Sequence, residues 1–303
     1  MRRENRRDIF LVLGLVLGLI FFIVIGFWLK KDKNLCEKNR INKEKDSIDF
    51  EYNYEEFNRR FYQTDKGEKY DGDFFGLVVP HHLVADKLIG RAFDIISNQK
   101  RKINRIVLVG PNHFEKGDKN ILGCDKEIKT EVETLYSEEK FYSKLCKNGL
   151  TEMNCDVIIN DHSIGNIIPF VGYYFDSPKI VSIVLKKNTD RESLDELSKL
   201  IGDFIEKEGV LIGSIDFSHY LKRGEADKMD EESLKMVEGR DYEQILISDN
   251  DHFDCPPCLY LVLKTMDEIG VSKIEVFDHT NSGYIQNNAG SETTSYFTLG
   301  FNK

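Results

Sequence analysis

FFGLVVPHH, residues 74–82, is the stretch on which the fold turns. Phe74 to Val79 form an unbroken apolar run, the pattern of a strand covered on both faces rather than one. Pro80 ends it, because proline donates no ladder hydrogen bond. Two imidazoles follow at the tip. A strand built for the core that delivers histidines at its end raises the question of whether other strands do the same.

RIVLVG (105–110), KIVSIVL (179–185), GVLIGSID (209–216), KIEVFD (273–278) and SYFTLGF (295–301) have the same strand character. Between them, residues 83–98, 137–148, 163–175, 189–208 and 257–269 carry helical spacing. This alternation predicts an α/β fold with a largely parallel central sheet flanked by helices.

Ahead of that domain, residues 9–29 (IFLVLGLVLGLIFFIVIGFWL) hold no charge. As a helix they would extend about 32 Å, enough for a bilayer core. The run ends in Phe27, Trp28 and Leu29, without the small-residue site at which a signal peptide is cut. The expected layout is a basic tail (1–8), a transmembrane anchor (9–29), a polar juxtamembrane linker (30–72) and the α/β domain (73–303). That makes the membrane a partner and the protein single-pass. Basic residues flank the span on both sides, so the side is open, with a lean to an extracytoplasmic domain.

The formal net charge of −10 argues against a nucleic-acid binder, which would show a basic face. The six cysteines form no paired C-x-x-C framework, so a structural zinc site is not expected. Most read as small core residues.

Open α/β sheets bind ligands beyond the carboxyl ends of their strands. Those positions hold Pro80-His81-His82, Pro111-Asn112-His113, Asp216-Phe217-Ser218-His219 and Asp278-His279, while His162 opens a helix. Such a concentration of imidazoles and carboxylates costs free energy to bury unless something satisfies it, and a metal ion does so. His81 and His82 should face opposite ways in extended chain, so one reaches the site and the other packs or caps. Asp161 reads as a helix cap that leaves His162 free for the site.

P-H after one strand, G-P-N-H after the next, DHSIGNIIPF (161–170) and SIDFSHY (214–220) together resemble the Memo family, also called AmmeMemoRadiSam system protein B. The resemblance covers residues 75–301. It implies a fold similar to class III extradiol dioxygenases and a functional association with radical SAM proteins. His81 and His113 match the family's two metal-site histidines. Asp216 and His219 match its D-F-x-H pair, with His219 the general base. Asp161, His162 and Ser163 match the opening usually written E-H-S. The chain departs at Gly165 and Ile167, where a glutamate and a second histidine are usual. The third ligand falls within HFDCPPC: Asp254 is preferred, with Cys255 and His252 as alternatives.

The resulting expectation is a divalent metal, iron first and zinc or copper as alternatives, on His81, His113 and Asp254. Asp216, His219 and His162 would be catalytic. The function expected is a membrane-anchored oxidoreductase of extradiol-dioxygenase type acting on an unknown small molecule. The alternatives are a zinc-type hydrolase on the same residues and a non-catalytic metal-binding or interaction module.

Overall fold

The computed structural model describes residues 47–61, 72–288 and 290–303. Its strands are β1 (Ser47–Asp49), β2 (Phe74–Val79), β3 (Arg105–Pro111), β4 (Ile121–Cys124), β5 (Glu127–Lys129), β6 (Thr134–Ser137), β7 (Glu152–Met153), β8 (Lys179–Leu185), β9 (Gly209–Ser214), β10 (His219–Lys222), β11 (Lys273–Asn281) and β12 (Glu292–Asn302). They join one sheet in the order β1-β5-β6-β8-β3-β9-β2-β12-β10, with β11 on β12, and with β4 on β8 and β7.

Parallel pairing dominates the centre and recurs at β6–β8, β1–β5 and β4–β7. β8, β3, β9 and β2 run parallel, and β12 then pairs antiparallel to β2, β10 and β11. The sheet is therefore mixed, and the expectation of a largely parallel one is corrected. Antiparallel neighbours can be joined by a short connection, and β11 and β12 pair antiparallel through one that holds the helix Ser282–Ile285.

The central strands are buried on both faces, as the quoted run predicts. In β2, Phe75 and Val78 join one apolar cluster, while Phe74, Leu77 and Val79 join the other. Gly76 and Gly213, in neighbouring strands, let the helix Pro256–Glu268 lie close to the sheet. An added Cβ would come within 2.9 Å of Met266 Sδ at Gly76 and 2.8 Å of Val262 Cγ2 at Gly213. The start of that helix is thereby held over the strand ends.

The expected helix over 163–175 is broken. It becomes His162–Gly165 and Ile168–Tyr174, because Pro169 has no N–H to continue a helix and suits a first turn instead. The helix Arg223–Gly239 carries no strong apolar stripe, since its buried positions are Ala226, Asp230, Ser233 and Val237.

The expected transmembrane helix at 9–29 lies outside the described residues. Among those described, no helix is long and apolar enough to cross a membrane. The helix Arg223–Gly239, 17 residues and mostly polar, would extend only about 26 Å, short of a bilayer core. The membrane anchor, the membrane as partner and the single-pass location are accordingly withdrawn. Residues 47–61, read from sequence as linker, contribute β1, which pairs with β5, and the helix Tyr54–Phe61.

Candidate metal centre

His81, His113 and Asp216 follow β2, β3 and β9, three strands side by side in the sheet. Asp254 immediately precedes the helix Pro256–Glu268, and its amide donates to the carbonyl of Asp216 at 3.1 Å. Four elements distant in sequence thus meet at one edge. His81 Nε2 lies 3.2 Å from Asp254 Oδ2, and His113 Nε2 lies 3.8 Å from the same oxygen. Two atoms each about 2.1 Å from a shared ion sit roughly 3.0–3.4 Å apart, so these spacings are near what one ion requires.

The hydrogen-bond inventory points the same way. His81 Nε2 and both carboxylate oxygens of Asp254 are buried without a hydrogen-bond partner. Orphaned buried acceptors are costly, and a cation among them removes that cost. Asp254 has its oxygens free because it is not the cap of its helix. Cys255 caps it, with Sγ accepting from the Cys258 amide at 3.3 Å. Cys255 is also joined to Cys258 in a disulfide, which removes it as a thiolate ligand. His252 is turned away, with Nδ1 2.9 Å from Ser233 Oγ. Of the three alternatives in HFDCPPC, Asp254 alone faces the imidazoles.

Each imidazole is held by a partner behind it. His113 Nδ1 lies 2.8 Å from Asp161 Oδ1, and the His113 amide donates to Asp161 Oδ2 at 2.9 Å. Asp161 also caps the short helix, accepting from the Ser163 amide at 3.0 Å. Burial would raise its pKa, but the His113 contacts and Ser163 outweigh that and hold it at about 2. His81 Nδ1 meets Ser214 Oγ at 3.2 Å, its amide donates to Asp216 Oδ1 at 3.0 Å, and its carbonyl accepts from Asn166 at 2.9 Å. Burial alone would depress the His81 pKa. The carboxylates of Asp216 and Asp254 reverse that and lift it to about 9. Without metal, the site draws a proton to the place where a cation fits.

His82 does not cap the following turn. Its Nδ1 comes within 2.9 Å of Asp216 Oδ2, and its ring is 5.6 Å from that of His81. Both histidines therefore turn to one cluster, against the expectation of opposite faces, because the chain after Pro80 has left the sheet. Burial would raise the Asp216 pKa, but His81 and His82 hold it well below the usual range. His162 stacks on His113 with ring centroids 3.9 Å apart. Burial and the neighbouring imidazoles of His113 and His81 push its pKa down to about 4. His219 Nδ1 lies 2.6 Å from the Phe217 carbonyl. A carbonyl only accepts, so Nδ1 carries the hydrogen and Nε2 presents a lone pair. His219, Asp216 and Asp254 also offer atoms within 4.8 Å of one another.

Asp278 and His279 do not belong here. β11 continues past them, and they pair with Arg91 and Asp230. The supports from Ser214 and Asp161 were not foreseen. Ser214 sits at a strand exit like the histidines, which is the signal that marks it.

An α/β domain with histidines and carboxylates gathered at the strand ends is the class of protein defined here, one with residues that can bind a metal. The chain belongs to the Memo-like family, whose profile, described as Memo-like protein, matches residues 50–299. It is 26% identical over 193 residues to a MEMO1 family protein of Saccharolobus islandicus (strain M.14.25), covering 60% of this chain and 65% of that one. The match thus spans just under two thirds of that relative's length. A MEMO1 family protein of Pyrobaculum aerophilum is 24% identical over 71% of this chain and 79% of its own. A solved structure of an uncharacterized protein from Escherichia coli K12 has a TM-score of 0.49 at 12% identity, covering 74% of this chain and 99% of that one.

Proposed function

We propose that this Memo-like chain is a metal-dependent oxidoreductase with divalent iron on His81, His113 and Asp254. The observation that carries the reading is the convergence of His81 Nε2, His113 Nε2 and the unpartnered Asp254 carboxylate. Two imidazoles and one carboxylate with open positions suit non-haem iron(II). The disulfide at Cys255 supports this hard donor set over a thiolate one. When bound, the metal supplies a Lewis acid and, as iron, a one-electron couple.

The chain's own residues divide the remaining work. Asp161 fixes the His113 tautomer, with hydrogen on Nδ1 and the Nε2 lone pair inward. Asp216 and Ser214 fix His81. His219 presents Nε2 as a proton acceptor. His162, held neutral against His113, forms an uncharged wall.

Anaerobic reconstitution with iron(II), then nitric oxide as a surrogate for dioxygen, tests the proposal. The expected result is one iron per chain and a high-spin iron–nitrosyl signal. Zinc retained in preference to iron would replace it with a hydrolytic reading. Failure to hold any divalent metal would leave a non-catalytic module.

A further inference from the structure

Beside the histidine cluster lies a cavity of about 530 Å³, within the size range of small-molecule sites. Its walls include Phe50, Tyr52, Phe57 and Phe170, and His162 and Asn166 line it too. His162 is the residue stacked on His113, and Asn166 is the one that holds the His81 carbonyl. The cavity and the metal centre therefore share a wall.

The aromatic side is built as a unit. Phe57 meets Phe170 edge-to-face at 4.9 Å, Tyr52 meets Phe57 at 5.6 Å, and Phe50 lies 6.2 Å from Tyr52. Rings fixed by one another in this way offer a planar guest both faces and edges with little reordering. Among the described residues, the lining includes Glu51, Glu56 and Asp86 and no lysine or arginine, which disfavours an anion. Gly165 contributes to the space. A Cβ there would lie 3.8 Å from the Phe50 ring and 3.1 Å from the Ile159 carbonyl, so a larger side chain would fill the cavity. This is the position where the chain departs from the glutamate usual in the family it resembles.

We infer that the cleft between residues 50–57 and the helices His162–Gly165 and Ile168–Tyr174 is the substrate subsite, accepting a flat aromatic ring that is neutral or cationic. Its assignment to substrate rests on the proposed metal chemistry next door, while its ligand preference rests on the cleft alone.

Benzyl alcohol, benzylamine and benzoate share one ring and differ in charge. Saturation-transfer NMR and calorimetry on the full chain, metal-free and iron-loaded, should show the first two binding and benzoate at least tenfold weaker. Gly165→Leu and Tyr52→Ala should each weaken benzylamine at least tenfold, with unchanged circular dichroism and metal content. Benzoate binding as well as benzylamine, no binding by any of the three, or full affinity in both folded variants would overturn the assignment. Binding that persists in a protein unable to hold metal would uphold the ligand preference and remove the substrate role. Metal uptake without ring binding would overturn the subsite and leave the proposed metal chemistry standing.

Discussion

His113 Nδ1 sits 2.8 Å from Asp161 Oδ1, so the residue that opens one short helix also fixes the proton of an imidazole from another strand end. Asp161→Asn separates the two tasks. The amide oxygen still accepts from the Ser163 amide, because Asn is as good a cap as Asp. It can no longer orient the ring through a charged acceptor. Metal affinity should fall by about 10–100-fold, the usual cost of losing such a support. The melting temperature of the metal-free protein should fall modestly, because the amide nitrogen meets the His113 backbone N–H that Oδ2 accepted. A chelator competition titration measures the first and a thermal scan the second. Unchanged affinity would remove Asp161 from the site.

Asp254 and Cys255 are neighbours with opposite expected behaviour. Asp254→Ala takes away the one carboxylate facing both His81 and His113, and iron stoichiometry should drop to near zero. Cys255→Ser leaves iron unchanged, because its sulfur is tied to Cys258 and caps the helix. Serine caps well, so the cost there is the cross-link, about 2 kcal/mol for so short a loop in the chain-entropy picture. Metal content and denaturant midpoints on both variants check this. Iron lost on Cys255→Ser but kept on Asp254→Ala would reverse the assignment.

The buried central strands and the histidines at their ends were legible in sequence, though the mixed pairing of the sheet was not, because unbroken apolar runs mark buried strands without giving the direction of their neighbours. β2, β3, β8 and β9 came out within two residues of their observed bounds for that reason. What was not legible depended on contacts distant in sequence. β4 to β7 are two to four residues long, too short to show a period. The helix Arg223–Gly239 buries small and polar side chains, so hydrophobic spacing does not reveal it. His279 looked like a strand-exit residue only because KIEVF hid the remaining length of β11. The choice among Asp254, Cys255 and His252 needed the cap, the disulfide and the Ser233 contact, none of which one sequence displays.

His81 gives a pH signature. Its pKa, about 9 in the metal-free fold against an ordinary 6.5, means a proton must leave before metal binds. Apparent affinity should therefore rise about tenfold per pH unit below 9 and level off above it. Stability of the metal-free protein runs the other way. A raised folded pKa contributes stability that is fully present below 6.5 and is lost as pH rises through about 9. Melting curves at several pH values, with and without metal, should diverge in opposite directions across that window. Parallel curves would mean His81 is already neutral.

Three ligand sets compete for His81, and the neighbouring residues decide between them. The proposed one adds His113 and Asp254; the others add His113 with His162, or His82 with Asp216, each with ligand atoms within 4.8 Å of one another. His82 Nδ1 is already 2.9 Å from Asp216 Oδ2, so the two neutralise each other, and 37% of the His82 side chain is exposed. Among the described residues, the closest cationic contact of the Asp254 carboxylate is His81 Nε2, 3.2 Å from Oδ2, a ring that the same metal would take up. A metal at His81, His113 and Asp254 therefore replaces the His81 proton alone, whereas one at His82 and Asp216 would also break the His82–Asp216 pair. Hence His81→Ala and His113→Ala should each abolish metal retention after dialysis, and His82→Ala should keep it within about twofold, since losing one ion-pair partner of a supporting carboxylate costs far less than losing a ligand. Elemental analysis of the three dialysed variants gives the answer. If His82→Ala empties the site while His113→Ala stays loaded, the metal lies on the Asp216 side of His81.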